Sequence, residues 1–214
     1  MSLIRHPAAP NLPLAPGQYD SRYQEGLNNV LRLYFNRVSN NLLALFGSYG
    51  GRFIQLPIGS FYDATDQVAV STTTAYPITF SNTSIKNNIA ITNNSELRVA
   101  SIGYYNIQFS VQLANNDNAT QDIDIWFRKN GTDIANSNSR FGLAPRKSAG
   151  DPYHVIGALN FIVFMTPADY VQLYWRTSNV NAYIEYYAAS SSPDRPAIPS
   201  VILTATLASG GVAA

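Results

Sequence analysis

Between residues 105 and 113 the chain reads Tyr-Asn-Ile-Gln-Phe-Ser-Val-Gln-Leu, apolar at every odd position and polar at every even one. A period of two belongs to a β-strand, whose side chains alternate between faces, and does not fit the 3.6 of a helix. One face of such a strand is buried, and the other is left to water or to a neighbour. The same grammar recurs in Asp122-Ile-Asp-Ile-Trp-Phe-Arg-Lys129, which runs into Asn130-Gly131, a dipeptide favouring a tight hairpin turn, and then into a return strand. Tyr170–Arg176, Ala182–Tyr187 and Ser200–Leu207 are further short strands, while Leu159-Asn-Phe-Ile-Val-Phe-Met165 is so nearly apolar that it reads as a central one. Turn clusters stand between them at Ser81–Ser84, Asn115–Asn118 and Asn136–Ser139. About eight to ten strands at this spacing predict a mainly β fold over residues 53–208, built as a two-sheet sandwich.

The front of the chain follows other rules. Pro7, Pro10, Pro13 and Pro16 recur every third residue, each fixing φ and pushing its predecessor toward extended geometry. Residues 1–17 therefore read as a semi-rigid, polyproline-like arm whose interspersed Leu3, Ile4, Leu12 and Leu14 suit docking on another protein, a disordered leader being the alternative. Arg5, Leu12, Leu14, Tyr19 and Tyr23 are the candidate anchoring residues. From 18 to 46 the period changes again: Leu27, Leu31, Tyr34, Val38, Asn41 and Leu45 alternate spacings of four and three, the seam of a coiled coil. Asp20 or Ser21 is the expected N-cap and Gly47 the stop. Three heptads are marginal for a free helix, so the segment must pack, either in a self-associating bundle or along its own domain. In a bundle, Asn41 sacrifices stability to fix register and strand number. Residues 47–52 form a glycine-rich joint, and 209–214 a short tail.

Composition closes several functional classes. With 14 basic and 13 acidic residues among 214, the chain has no electrostatic pull toward nucleic acid or an anionic membrane. It has no cysteine and only His6 and His154, so disulfide scaffolds, thiolate zinc sites, thiol nucleophiles and multi-histidine metal sites are disfavoured together. No apolar run approaches signal-peptide or membrane-span length, and the expectation is a soluble product of the cytosol. The four Asn-x-Ser/Thr triplets, at Asn82, Asn93, Asn118 and Asn130, then follow from Asn, Ser and Thr richness alone.

Catalytic chemistry has a thin inventory. The carboxylate pairs are Asp63/Asp66, Asp122/Asp124 and Asp151/Asp169, with Glu185 alone on a late strand. Asp122 and Asp124 share a strand face, the arrangement a paired-carboxylate glycosidase needs, but ordinary alternation leaves both in solvent while Ile123 and Ile125 fill the core. His154 has no nucleophile or acid in triad spacing. Asp117, Asp122 and the amides at 115–118 offer oxygens to calcium in no recognised loop pattern, and Gly47-Ser-Tyr-Gly-Gly-Arg52 lacks the lysine of a phosphate loop. Arg128/Lys129 and Arg146/Lys147 are too small for a nucleic-acid groove. The expectation is no enzyme, no metal and no cofactor. Tyrosine occurs 14 times, and the pairs Tyr104/Tyr105, Tyr174/Trp175 and Tyr186/Tyr187 place one ring in the core and leave its neighbour for a subunit interface or a ligand such as a sugar.

Gly103-Tyr-Tyr105-Asn-Ile107-Gln-Phe109 resembles the Gly-x-Tyr-x-Phe-x-Tyr/Phe signature of the jelly rolls of tumour necrosis factor and the globular heads of complement, with Leu97 and Ile107 where that family usually has Phe. Phe127-Arg-Lys-Asn-Gly-Thr132, Asp169-Tyr-Val-Gln-Leu173 and Ile198-Pro-Ser-Val-Ile202 resemble the version carried by phage virion proteins. Asn11-Leu-Pro, Tyr19-Asp-Ser-Arg-Tyr-Gln and Leu31-Arg-Leu-Tyr-Phe-Asn-Arg37 look like the leader that precedes varied domains in phage structural proteins. The resemblance implies a jelly-roll sandwich and a homotrimer, with Tyr105 and Phe109 joining the helix seam at the interface. It further implies a place on the phage particle, assembled in the host cytoplasm and held by the major capsid protein or another virion protein. A capsid decoration or cement protein is the first expectation, a fibre that recognises a host surface glycan the second, and a depolymerase using Asp122 or Asp124 the third.

Overall fold

The computed structural model describes residues 7–46 and 56–210. In chain order its elements are α1 (Ser21–Phe46), β1 (Ile58–Asp63), β2 (Tyr76–Pro77), β3 (Asn82–Asn87), β4 (Ile89–Thr92), β5 (Glu96–Val99), β6 (Gly103–Asn115), β7 (Gln121–Lys129), β8 (Thr132–Asp133), β9 (Ser139–Leu143), β10 (Tyr153–Met165), β11 (Tyr170–Thr177), β12 (Ala182–Ile184), β13 (Ser190–Ser191), β14 (Asp194–Arg195) and β15 (Val201–Ser209). The chain divides into two units that meet between Gln55 and Leu56.

In the first unit, residues 7–18 take no regular secondary structure, as a donor-poor proline repeat dictates. Leu12, Leu14 and Tyr19 of this arm are exposed, Leu14 by 94%. Tyr23, partly buried on the helix, donates from its hydroxyl to the Pro13 carbonyl at 3.4 Å. The N-cap is Asp20: its Oδ1 accepts the Arg22 N–H at 2.9 Å, and its carbonyl accepts the Gln24 N–H. Leu27, Leu31, Tyr34, Val38, Asn41 and Leu45 are all partly buried, whereas Leu33, Phe35, Leu42 and Leu43 are exposed. Arg5, Gly47 and the glycine joint lie outside the described residues.

The second unit is a sandwich of two antiparallel sheets. The first has the order β10-β6-β15-β1-β3, with β12 continuing the edge of β6 that β15 occupies. The second has the order β4-β5-β11-β7-β8, with β2 added to β11 and β9 to β7. The long strands β6, β7, β10, β11 and β15 fall alternately in the first and second sheets, a crossing pattern compatible with a jelly roll. Tyr105, Ile107, Phe109, Val111 and Leu113 of β6 all point into the core, as their period of two requires. There Phe109 meets Phe127 edge-on at 6.0 Å, and Phe127 stacks on Phe161 at 5.1 Å, tying the sheets together. The hairpin after β7 turns on Asn130 and Gly131, both at positive φ (50° and 82°), the geometry that favours Asn-Gly.

One strand sits elsewhere than its composition predicts. The apolar run 159–165 belongs to β10, which pairs with β6 alone and forms the edge of its sheet rather than the centre. It is apolar on both faces: Phe161, Val163 and Met165 point inward, while Ile162 and Phe164 point outward.

Candidate functional site

The two sheets present outer faces of opposite chemistry. On the first, alternation and register lay out three cross-strand rows: Ile162, Asn106, Thr206, Ile58; then Asn160, Gln108, Thr204, Ser60; then Ala158, Ser110, Ile202, Tyr62. None of these twelve side chains is charged. The small Ser110 and Ala158 leave a shallow hollow of about 520 Å³ at the centre of the face. Ile162 is 59% exposed at the edge, and the Asn106 Oδ1 atom is buried without a hydrogen-bond partner. Tyr104 packs on Phe164 at one end of this face. At the other end, β12 and β10 bring Glu185 and His154 together through Tyr187, whose hydroxyl donates to Glu185 at 2.8 Å and contacts the imidazole. Burial, followed by the Glu185 carboxylate, pushes the Tyr187 phenol well above its ordinary range, and the same causes push Tyr183 up to about 12.

The second sheet carries charges and rings. Its register sets Trp126 opposite Tyr174 and Asp124 opposite Arg176, with Arg140 of β9 on the other side of Asp124. Asp124 is 4% exposed and takes hydrogen bonds from Arg140 Nε at 2.8 Å and Arg176 Nε at 2.9 Å. The Arg140 guanidinium, then Arg176, holds its carboxyl below the usual carboxylate range against the opposing effect of burial. One turn along the face, Asp133 Oδ1 accepts from both Trp126 Nε1 and Arg128 Nε at 2.7 Å, and the Arg128 guanidinium lies 3.8 Å over the Tyr174 ring. Between the 73–75 loop and the 134–138 loop this surface opens into a cleft of about 430 Å³, floored by Trp126, Arg128 and Arg176.

The predicted site residues separate on this framework. Tyr105 (0% exposed) and Phe109 (4%) are enclosed by their own domain, so a neighbouring subunit cannot touch their rings. The residues that β6 offers to a neighbour are the intervening Tyr104, Asn106 and Gln108. Asp124, expected in solvent, lies instead under two arginines, because a strand whose outward neighbours are long cations can bury a carboxylate that they neutralise. Of the other carboxylates, Asp63 takes Thr65, Asp66 takes the Tyr186 N–H, and Asp169 takes Lys129, Asn130 and Thr166, while the Asp122 carboxylate accepts no hydrogen bond among the described residues. Asn115 and Asp117 spend their oxygens on the turn at 117–119 and on Asn179. Trp175 fills the core beside outward-facing Tyr174, and Tyr105 lies inside beside outward Tyr104, as the paired rings predict; Tyr186 and Tyr187 lie beyond the end of β12 and do not divide this way. The Trp126–Arg128–Arg176 cleft is not evident in the sequence. Its only signal there is the string of polar or aromatic residues at positions 122, 124, 126 and 128, and without the register to β11 that string names no site.

No model of a known protein family matches the chain, and no curated protein matches it with significant similarity. The class defined by the structure is a mainly β, two-sheet antiparallel sandwich preceded by one helix.

Proposed function

We propose that this chain is a non-enzymatic structural protein of a phage particle, a homotrimer that decorates or cements the capsid, anchored by its N-terminal arm with the jelly roll projecting outward. The observation that carries the assembly reading is the uncharged central stretch, three cross-strand rows deep, of the first sheet's outer face. Solvated sheet faces carry charges, and the cores of interfaces are depleted of them. Here exposed isoleucines flank a hollow on a face bounded by a long edge strand, β10, whose outward side sets Ile156, Ala158, Ile162 and Phe164 beside His154 and Asn160. A bare edge of that kind invites pairing with another chain and is ordinarily blunted or covered. A second apolar surface runs along α1, where Leu27, Val30, Leu31, Tyr34, Phe35, Val38, Leu42 and Leu45 cover an arc of roughly 140° at 100° per residue.

The phage and capsid part of the reading rests on the motif resemblances and on the exposed proline arm. Three arms on one trimer gain avidity from effective concentrations of roughly millimolar, so modest contacts by Leu12, Leu14 and Tyr19 suffice to hold each copy. The non-enzymatic part is supported by Asp63, Asp66, Asp124 and Asp169, whose carboxylates are committed to structural bonds. Light scattering on the full chain is expected to give the mass of a trimer, and Ile162→Asp with Gln108→Arg to give smaller species of unchanged fold. Removing residues 1–17 is expected to keep the trimer and abolish its occupancy on particles. A wild-type monomer, or undiminished occupancy without the arm, would overturn the proposal. The cleft on the second sheet favours a fibre as the second reading, and copy number per particle separates the two: many tens to hundreds for decoration, roughly a dozen trimers or fewer for a fibre.

A further inference from the structure

We infer that the cleft on the outer face of the second sheet is a binding site for an acidic saccharide, a sugar carrying one carboxylate. Arg176 supplies the anion-recognising group. Its Nε is spent on Asp124, which is itself buried and gripped from the other side by Arg140, so the guanidinium plane is fixed before any ligand arrives. The two terminal amino groups of Arg176 make no bond to the described residues and form a planar fork at the cleft floor, the geometry that receives a carboxylate with two parallel hydrogen bonds.

The rest of the cleft sets the class of anion. Asp133, 57% exposed on its side chain, keeps Oδ2 uncommitted while Oδ1 holds Trp126 and Arg128 in place. A negative group in the same small space repels multiply charged phosphates, polyphosphates and nucleic acid more strongly than a single carboxylate, and accepts hydrogen bonds from hydroxyls. Asn136 and Asn138, on the facing loop, likewise have side-chain amides with no partner among the described residues. Trp126 is partly exposed and pinned by its indole N–H, presenting a rigid apolar surface to the C–H face of a sugar ring. A volume of about 430 Å³ falls within the range of small-ligand sites. One carboxylate, several hydroxyls and an apolar ring face together describe a uronic or sialic acid residue better than a peptide or a nucleotide.

The inference stands independently of the assembly reading, and oligomeric mass measured on the same samples keeps the two apart. Calorimetric titration of the full chain with oligogalacturonate, its methyl ester, sialyllactose and lactose tests it, and the first and third distinguish uronic from sialic acids. Binding of at least one acidic sugar is expected to exceed that of its neutral counterpart by about tenfold or more, the discrimination of one charge-assisted pair. Arg176→Gln is expected to remove that preference. Because Arg176 also partners Asp124, Asn138→Asp serves as the second variant: it breaks no hydrogen bond and sets a negative charge against the ligand, and it is expected to weaken the acidic sugar alone. No binding of either acidic sugar at millimolar concentration, equal binding of the methyl ester, or full affinity in Asn138→Asp would overturn the inference.

Discussion

A methyl group on Gly103 would lie 2.6 Å from the Ser209 carbonyl oxygen and 2.6 Å from Leu207, where β15 bulges against the start of β6. The carbonyl is backbone and cannot rotate away. Gly103→Ala is therefore expected to lower stability by about 1–3 kcal/mol, the usual cost of overpacking. Gly157→Ala, whose added carbon would meet only the Phe141 and Val111 side chains at 3.1 Å, is expected to lose less. Urea unfolding of both variants measures the difference, and equal losses would show that β15 yields at the bulge. The glycine itself is conspicuous in the sequence as the first residue of the aromatic signature. Its reason is not, because the atom that excludes a side chain arrives from a strand distant along the chain. Asp124 teaches the same lesson: its alternation shows that it points outward, but the two arginines that bury it come from β9 and β11, which only register brings alongside.

At the scale of elements, periodicity was enough for α1, for β6 and for the Asn130-Gly131 hairpin, since each is decided by residues close in sequence. It was not enough to place β10. A run apolar on both faces normally marks a strand covered on both sides within its own domain, whereas here the outer cover is absent from the chain's own sheets, and the run lies at an edge. The helix makes a matching prediction. If its seam packs in a bundle, Leu31→Asp together with Val38→Asp dissociates the oligomer or lowers its helical circular dichroism signal while the β domain melts unchanged, because α1 belongs to the compact unit that ends at Gln55 and the β domain's core to the one that begins at Leu56. Leu43→Asp, on an exposed position off the seam, is expected to leave both signals intact. Equal damage from the two substitutions would mean that the heptad spacing does not define the packing face.

At the scale of the whole molecule, the few charges work as fixed partners, and this sets the dependence of stability on pH. Asp124 beside Arg140, Asp133 beside Arg128, Glu96 beside Arg98, and Asp117 at the Ala119 N–H all have carboxyls held below their ordinary range. Burial alone would raise Asp169, but hydrogen bonds from Asn130, Thr166 and Lys129 outweigh it and hold that carboxyl low as well. A carboxyl depressed in the folded state contributes stability above its unfolded value of about 4, and the contribution is lost as pH falls below that. At the other end, burial raises Tyr105, Tyr183 and Tyr187, so their contribution is present below about 10 and is lost as pH climbs toward the folded values. The expected melting temperature is therefore flat between about pH 5 and 9 and declines on both sides. Asp169→Asn is expected to lower the plateau and to flatten the acid limb, because the wild type loses the same interactions there by protonation. A variant curve parallel to wild type down to about pH 2 would show that the Asp169 clamp contributes nothing through its charge.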